Sequence, residues 1–80
     1  MDRNLLNLCS RDVIKILQLK GFALSRTRGS HHQYIGCVNE HKRRVTVIAN
    51  QKRFTPKTIK SMIEQSGLSE DEWLELKKMI

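Results

Sequence analysis

Two adjacent histidines follow a glycine turn in the chain's most basic stretch, in the segment Gly29-Ser30-His31-His32. Histidine is the side chain whose ordinary pKa lets it take up and release protons near neutral pH. Cleavage of a phosphodiester requires such proton transfer, together with cations that hold the phosphate. This segment is therefore the predicted site of acid-base catalysis.

The charge of the chain is positive and unevenly distributed. Fifteen Lys and Arg stand against eight Asp and Glu, which gives a formal net charge of +7. Between Lys20 and Lys60 there are ten basic residues and one acid, Glu40, whereas residues 61–80 carry five acids and only two lysines. A basic body with an acidic tail favours a surface for a polyanion, with nucleic acid as the leading candidate. The alternative is a charged surface that serves only solubility.

Length and composition predict one domain, residues 1–80, with a core that is small for its surface. No stretch approaches the ~20 apolar residues of a membrane span, and the first residues lack the apolar region of a signal peptide. The sequence therefore predicts a cytoplasmic protein without a membrane partner. Cys9 and Cys37 are predicted to be free thiols.

The first half of the chain predicts one helix followed by three strands. Ser10 is the predicted N-cap of a helix with an apolar stripe that includes Val13 and Leu17, and Gly21 ends it. Strands are predicted at 22–27, 31–38 and 43–49, the last because of its β-branched run. Short connections between them indicate an antiparallel meander.

The second half predicts two helices with clear start signals. Thr55-Pro56 combines a capping threonine with a proline suited to the first helical position, and Gly67 ends that helix. Ser69 and Glu72 form a capping box that opens a short last helix, with Trp73, Leu76 and Ile80 on one side. The predicted fold class is α+β: an α-β-β-β-α order with a three-stranded antiparallel sheet and an additional short C-terminal helix. One face of that sheet should be free for RNA or a partner protein.

Strand alternation separates the two histidines. Neighbours on a strand point to opposite faces, so His31 and His32 are not expected to act on the same surface. His32 shares its face with Tyr34, and His31 shares its face with Gln33. Composition leaves open which of the two faces is exposed.

Four segments in this order resemble the HicA family of bacterial toxins. They are Gly21-Phe22, Arg28 to Tyr34, Arg43 to Val47, and Thr58 to Ser69. The resemblance implies a fold like that of double-stranded RNA-binding domains, a ribosome-independent mRNA interferase activity and neutralisation by a HicB antitoxin. It assigns the catalytic role to His32, which stands two places after Ser30, and leaves His31 at a variable position.

The chain departs from the family pattern at two places. Relatives commonly show a Pro-x-His element after the third strand, where this chain has Ile48-Ala49-Asn50. Relatives also often have a glycine before the threonine of the second long helix, where this chain has Lys57. The missing second histidine bears on the activity, and a non-catalytic RNA-binding module of the same fold is therefore the main alternative. A scaffold that makes only protein contacts is a more distant one.

The implied mechanism is metal-free and uses no cofactor. His32 would act as general acid or base while the RNA 2′-hydroxyl attacks the adjacent phosphate. Gly29 would permit close approach of the phosphate, and Ser30 would orient the substrate or the turn. A zinc site through Cys37 and His41 lacks the paired spacing of known ligands. The predicted RNA contacts are Arg26, Arg28, Gly29, Ser30, Lys42, Arg43, Arg44, Lys52, Arg53 and Lys57.

Overall fold

The computed structural model describes residues 1–80 and has the predicted α+β layout. A four-residue helical turn precedes the predicted elements, and the short C-terminal helix is present. None of the helices has the length and hydropathy of a membrane span. The elements are α1 (Arg3–Leu6), α2 (Ser10–Leu19), β1 (Ala23–Arg28), β2 (His31–Val38), β3 (His41–Ile48), α3 (Pro56–Ser66) and α4 (Glu70–Lys77).

The three strands form one antiparallel sheet in the order β1-β2-β3, joined by two tight turns. Gly29 has a positive φ of 59° in the first turn. In the second turn Asn39 and Glu40 both have positive φ, at 51° and 68°, as in the primed turns that match strand twist. Because this turn has only two residues, β3 begins at His41, two positions before the predicted start.

The helices cover one face of the sheet and bury the core there. Val45 and Val47 of β3 are fully buried, whereas Arg44, which precedes Val45, is exposed. We call the uncovered side the open face. The sixteen buried hydrophobic residues form one cluster that also contains Val13, Ile16, Leu17, Ile59, Met62 and Trp73.

The helix ends in the second half are as predicted. The Thr55 hydroxyl accepts from the Thr58 amide at 3.2 Å, and Pro56 is the first helical residue. Gly67 ends α3 in the left-handed conformation. Ser69 and Glu72 bond reciprocally as a capping box before α4.

Two further details differ from the sequence prediction. The N-cap of α2 is Cys9, whose amide donates to the Asp12 carboxylate at 3.1 Å, and Ser10 is the first helical residue. The prediction of Ser10 as the cap was wrong because its hydroxyl bonds to a distant segment instead. Ile80 is 43% exposed beyond the end of α4, so Trp73 and Leu76 alone form the buried side of that helix.

Candidate active site

The register of the sheet places His32 on the face covered by helices. Its Cα partners are Thr27 on β1 and Val47 on β3, and Val47 is fully buried. His31 is paired with Arg28 and Ile48 and is exposed on the open face. The expected separation of the two histidines is confirmed. Composition left open which face of β2 is exposed, and the structure shows that it is the face of His31.

His32 lines an open groove between helix α2 and the segment after β3. The groove has a volume of about 880 Å³, and we call it the His32 groove. One wall is a face of α2 and the other is the segment 49–52, which follows β3. The lining residues that bear on chemistry are Arg11, Lys15, Gln18, His32, Asn50 and Lys52.

The cations of the groove come from both walls. Arg11 and Lys15 lie four residues apart and so share one exposed face of α2, while Val13 and Leu17 face the core. Lys52 faces them from the opposite wall. Of these cations, Lys52 is a predicted RNA contact, whereas Arg11 and Lys15 are not, because they precede the basic region that begins at Lys20. Their spacing on a helix was the signal that could have found them.

Ser10 ties the two walls together. Its hydroxyl donates to the Ile48 carbonyl at 2.7 Å and accepts from the Gln51 amide at 2.7 Å. Its own amide donates to the Gln51 carbonyl at 2.9 Å. Ser10 is buried, and these part-buried bonds fix segment 49–52 against the start of α2.

Asn50 lies in the groove at the centre of that tethered segment. Its φ is 60°, in the left-handed region that asparagine tolerates better than most residues. Its amide can donate and accept hydrogen bonds, but it does not transfer protons near neutral pH. Of the groove residues, His32 is therefore the one suited to acid-base work at neutral pH.

The His32 side chain is half-buried, and neither ring nitrogen is hydrogen-bonded to another group of the protein. Both nitrogens are thus available to a ligand in the groove. The neighbouring turn is fixed by the Ser30 carbonyl, which accepts from the Ala49 amide at 2.7 Å. No atom lies within 4 Å of the position that a Cβ on Gly29 would occupy, so the backbone there is open to a ligand.

The other predicted RNA contacts are spread over several surfaces. Arg26, Arg28, Lys42 and Arg44 belong to the open face by register. Arg43 points to the opposite side, where its Nε lies 2.6 Å from the ideal Cβ position of Gly67 and has no hydrogen-bond partner. Arg53 lies with Phe54 at a separate pocket near α1, and Lys57 is exposed in the first turn of α3.

The two cysteines lie on different surfaces and are unpaired, as predicted. Cys9 borders the His32 groove at the start of α2. Cys37 is exposed and is paired in register with Lys42, which places it on the open face. It is therefore on the other side of the sheet from His32.

These features define a class of protein: a small basic α+β domain of α-β-β-β-α layout with one histidine in a cationic groove. The sequence profile of the HicA toxin of bacterial toxin-antitoxin systems matches residues 10–68. The chain belongs to this family. The matched region spans α2 to the end of α3 and contains both walls of the groove. No curated protein matches the chain significantly.

Proposed function

We propose that this toxin is a metal-independent endoribonuclease that cleaves mRNA, with His32 as its general acid or base. The observation that carries the proposal is the position of His32 in a groove whose two walls supply Arg11, Lys15 and Lys52. A phosphodiester in this groove would meet a proton carrier and several cations at once. His31 lies on the other face of the sheet and has no part in this step.

The reaction uses a nucleophile that belongs to the substrate. The RNA 2′-oxygen attacks the adjacent phosphorus and loses its proton, while the bond from phosphorus to the 5′-oxygen breaks and that oxygen gains a proton. The products are a 2′,3′-cyclic phosphate and a 5′-hydroxyl. His32 carries one of the two protons, and the groove cations stabilise the charge that develops on the phosphate.

Asn50 supplies hydrogen bonds at the position where relatives often have a second histidine. With one imidazole in the groove, proton transfer contributes roughly 10²- to 10⁴-fold to the rate. The remaining acceleration comes from the cations and from the fixed geometry of the two walls. A second imidazole would assist the other proton transfer.

The partner that we propose is an acidic antitoxin of the HicB type, acting in the cytoplasm. Membership of a toxin-antitoxin family supports a protein partner, and the net charge of +7 favours an acidic one because complementary charge speeds association. Gene order offers a direct check. We expect a small acidic protein encoded immediately downstream of the toxin, and that protein should inhibit cleavage when it is added to the purified toxin.

The experiment that tests the activity replaces one hydroxyl of the substrate. Purified toxin is incubated in excess EDTA with a single-stranded RNA and with the same RNA that has 2′-deoxynucleotides at the cleaved positions. We expect cleavage of the first, with a 2′,3′-cyclic end, and none of the second. Cleavage of both substrates, or loss of cleavage with the chelator, would overturn the mechanism. Binding without cleavage of either would support the alternative, a non-catalytic RNA-binding module.

A further inference from the structure

The open face of the sheet carries a second cleft, separate from the His32 groove. It has a volume of about 280 Å³, and every residue that lines it is polar. Its residues are cross-strand neighbours. Arg28 on β1 is paired with His31 on β2, and Gln33 on β2 is paired with Arg26 on β1 and with Thr46 on β3. We call these five residues the open-face cleft. It lies at the same end of the sheet as the Gly29-Ser30 turn.

The charges of the open-face cleft are not neutralised by the protein. The two ion pairs of the structure are Lys20–Glu72 and Lys78–Glu75, and both lie away from the cleft. Neither Arg26 nor Arg28 donates a side-chain hydrogen bond to another protein group. Lys42 and Arg44 add charge to the same face, and none of its strand residues is acidic. Unpaired guanidinium groups offer planar, two-pronged donors that match a phosphate.

The cleft and the groove meet at the turn between β1 and β2. His31 lines the cleft and His32 lines the groove, although they are consecutive residues. Gly29 and Ser30 are exposed between them, and the space around Gly29 is open. A flexible strand that passes over this turn can contact both faces of the sheet. A double helix is stiff over many base pairs and does not fold around a single turn.

We propose that the open-face cleft is a second phosphate-binding subsite, which holds the backbone of single-stranded RNA next to the bond in the His32 groove. The strand passes over the Gly29-Ser30 turn, and Arg26 and Arg28 bind the flanking phosphates. This inference rests on the proposed function for the position of the cleaved bond. It adds that the RNA must be unpaired on at least one side of that bond.

The test measures RNA binding in the His32→Ala protein, so that cleavage does not interfere. A labelled single-stranded RNA of about a dozen nucleotides is titrated at several salt concentrations. In this background, Arg26→Gln with Arg28→Gln should lower the slope of log affinity against log salt by about 1.4, since each phosphate contact to a single strand contributes about 0.7. The matched control, Lys20→Gln with Lys78→Gln, removes the same charge from exposed ion pairs elsewhere and should leave the slope unchanged.

Three results would overturn the subsite. Equal slopes for the arginine variant and the control would show that the cleft holds no phosphate. An equal loss of affinity for a blunt RNA duplex would contradict the single-stranded path. Unchanged RNA binding with lost binding of the acidic antitoxin would make the cleft a protein interface. The binding slope does not depend on catalysis, so an RNA that binds through the cleft but is never cleaved would overturn the proposed function and leave the subsite standing.

Discussion

The Ser10 hydroxyl and the Gln51 backbone amide lie 2.7 Å apart and join two segments separated by forty residues. This bond sets the distance between the wall of the His32 groove that carries Arg11 and Lys15 and the wall that carries Asn50 and Lys52. Ser10 is itself buried, so we expect it to act on the site through the backbone, as a positioning residue.

Replacing Ser10 by alanine should impair both stability and cleavage. The change removes the hydroxyl that pairs with the part-buried Ile48 carbonyl and Gln51 amide, at a cost of about 1–3 kcal/mol in the free energy of unfolding. At a temperature where the variant is fully folded, kcat should still fall, because segment 49–52 then keeps only the bond from the Ser10 amide to the Gln51 carbonyl. Urea unfolding and single-turnover cleavage measure the two effects.

Ser66→Ala is the matched control for that prediction. Ser66 is also buried, and its hydroxyl accepts from Trp73 Nε1 at 3.0 Å and from the Leu68 amide at 3.1 Å, at the far end of α3. The Ser66→Ala variant should lose about as much stability as Ser10→Ala, and it should keep the wild-type kcat once folded. Ser10→Thr retains the hydroxyl and should restore part of the activity. Equal kcat for folded Ser10→Ala and Ser66→Ala would contradict the positioning role.

The helical wall of the groove should contribute to RNA affinity. Arg11→Gln with Lys15→Gln removes two exposed cations that line the groove, and we expect the slope of log affinity against log salt to fall by about 1.4 for single-stranded RNA. Filter binding or fluorescence anisotropy over a salt series measures it. Lys20→Gln is the control, because Lys20 follows the same helix but pairs with Glu72 at 3.7 Å. If the control changed the slope as much as one groove cation does, the binding would be unspecific.

Asn50 offers a gain-of-function test. Histidine, like asparagine, is enriched at positive φ, so Asn50→His should fit the backbone at φ 60°. A second imidazole in the groove should raise kcat by at least about tenfold, toward the range of roughly 10²- to 10⁴-fold that proton transfer supplies. The gain should disappear when His32→Ala is added, since the two groups serve the same reaction. A gain that persists without His32 would show that the new histidine acts alone.

Gly36 is predicted to be a packing position. A Cβ there would lie 2.7 Å from the ring of Phe22, which is buried beneath the sheet. Gly36→Ala should therefore lower the free energy of unfolding by about 1–3 kcal/mol through overpacking. Gly29→Ala is the comparison, because its loss of stability has a different cause. The added Cβ meets no atom, so the change costs only the strain of positive φ, about 1–2 kcal/mol. A Phe22→Leu change should relieve part of the Gly36→Ala loss and leave Gly29→Ala unaffected, as urea unfolding would show.

Much of the fold follows from local signals in the sequence. Thr55 with Pro56, and Ser69 with Glu72, define helix starts through bonds within a few residues, and the bounds of β2 were predicted correctly. The start of β3 was missed because Asn39 and Glu40 turn the chain in two residues, with a glutamate in a conformation that propensity does not favour. Local sequence patterns do not predict a turn in which a residue adopts a conformation that its type disfavours.

The site was predictable only in part. The resemblance pointed to His32, but the alternation pattern of β2 did not say which face the helices cover. That choice depends on Val45 and Val47 of β3 and on the helices that pack against them. The groove itself depends on the bonds of Ser10 to Ile48 and Gln51, about forty residues away in the sequence. The placement of Arg11 and Lys15 opposite Lys52 follows from that non-local contact.

The most direct test of the account compares two histidines at opposite ends of the sheet. His41 is exposed, is paired with Val38 beside the second turn, and lines neither the groove nor the cleft. The value of kcat is measured at saturating single-stranded RNA in EDTA for the wild type, His32→Ala and His41→Ala. We predict that His32→Ala lowers kcat by roughly 10²- to 10⁴-fold while His41→Ala stays close to the wild type. A His32→Ala protein that is folded and keeps the wild-type kcat would contradict the central claim.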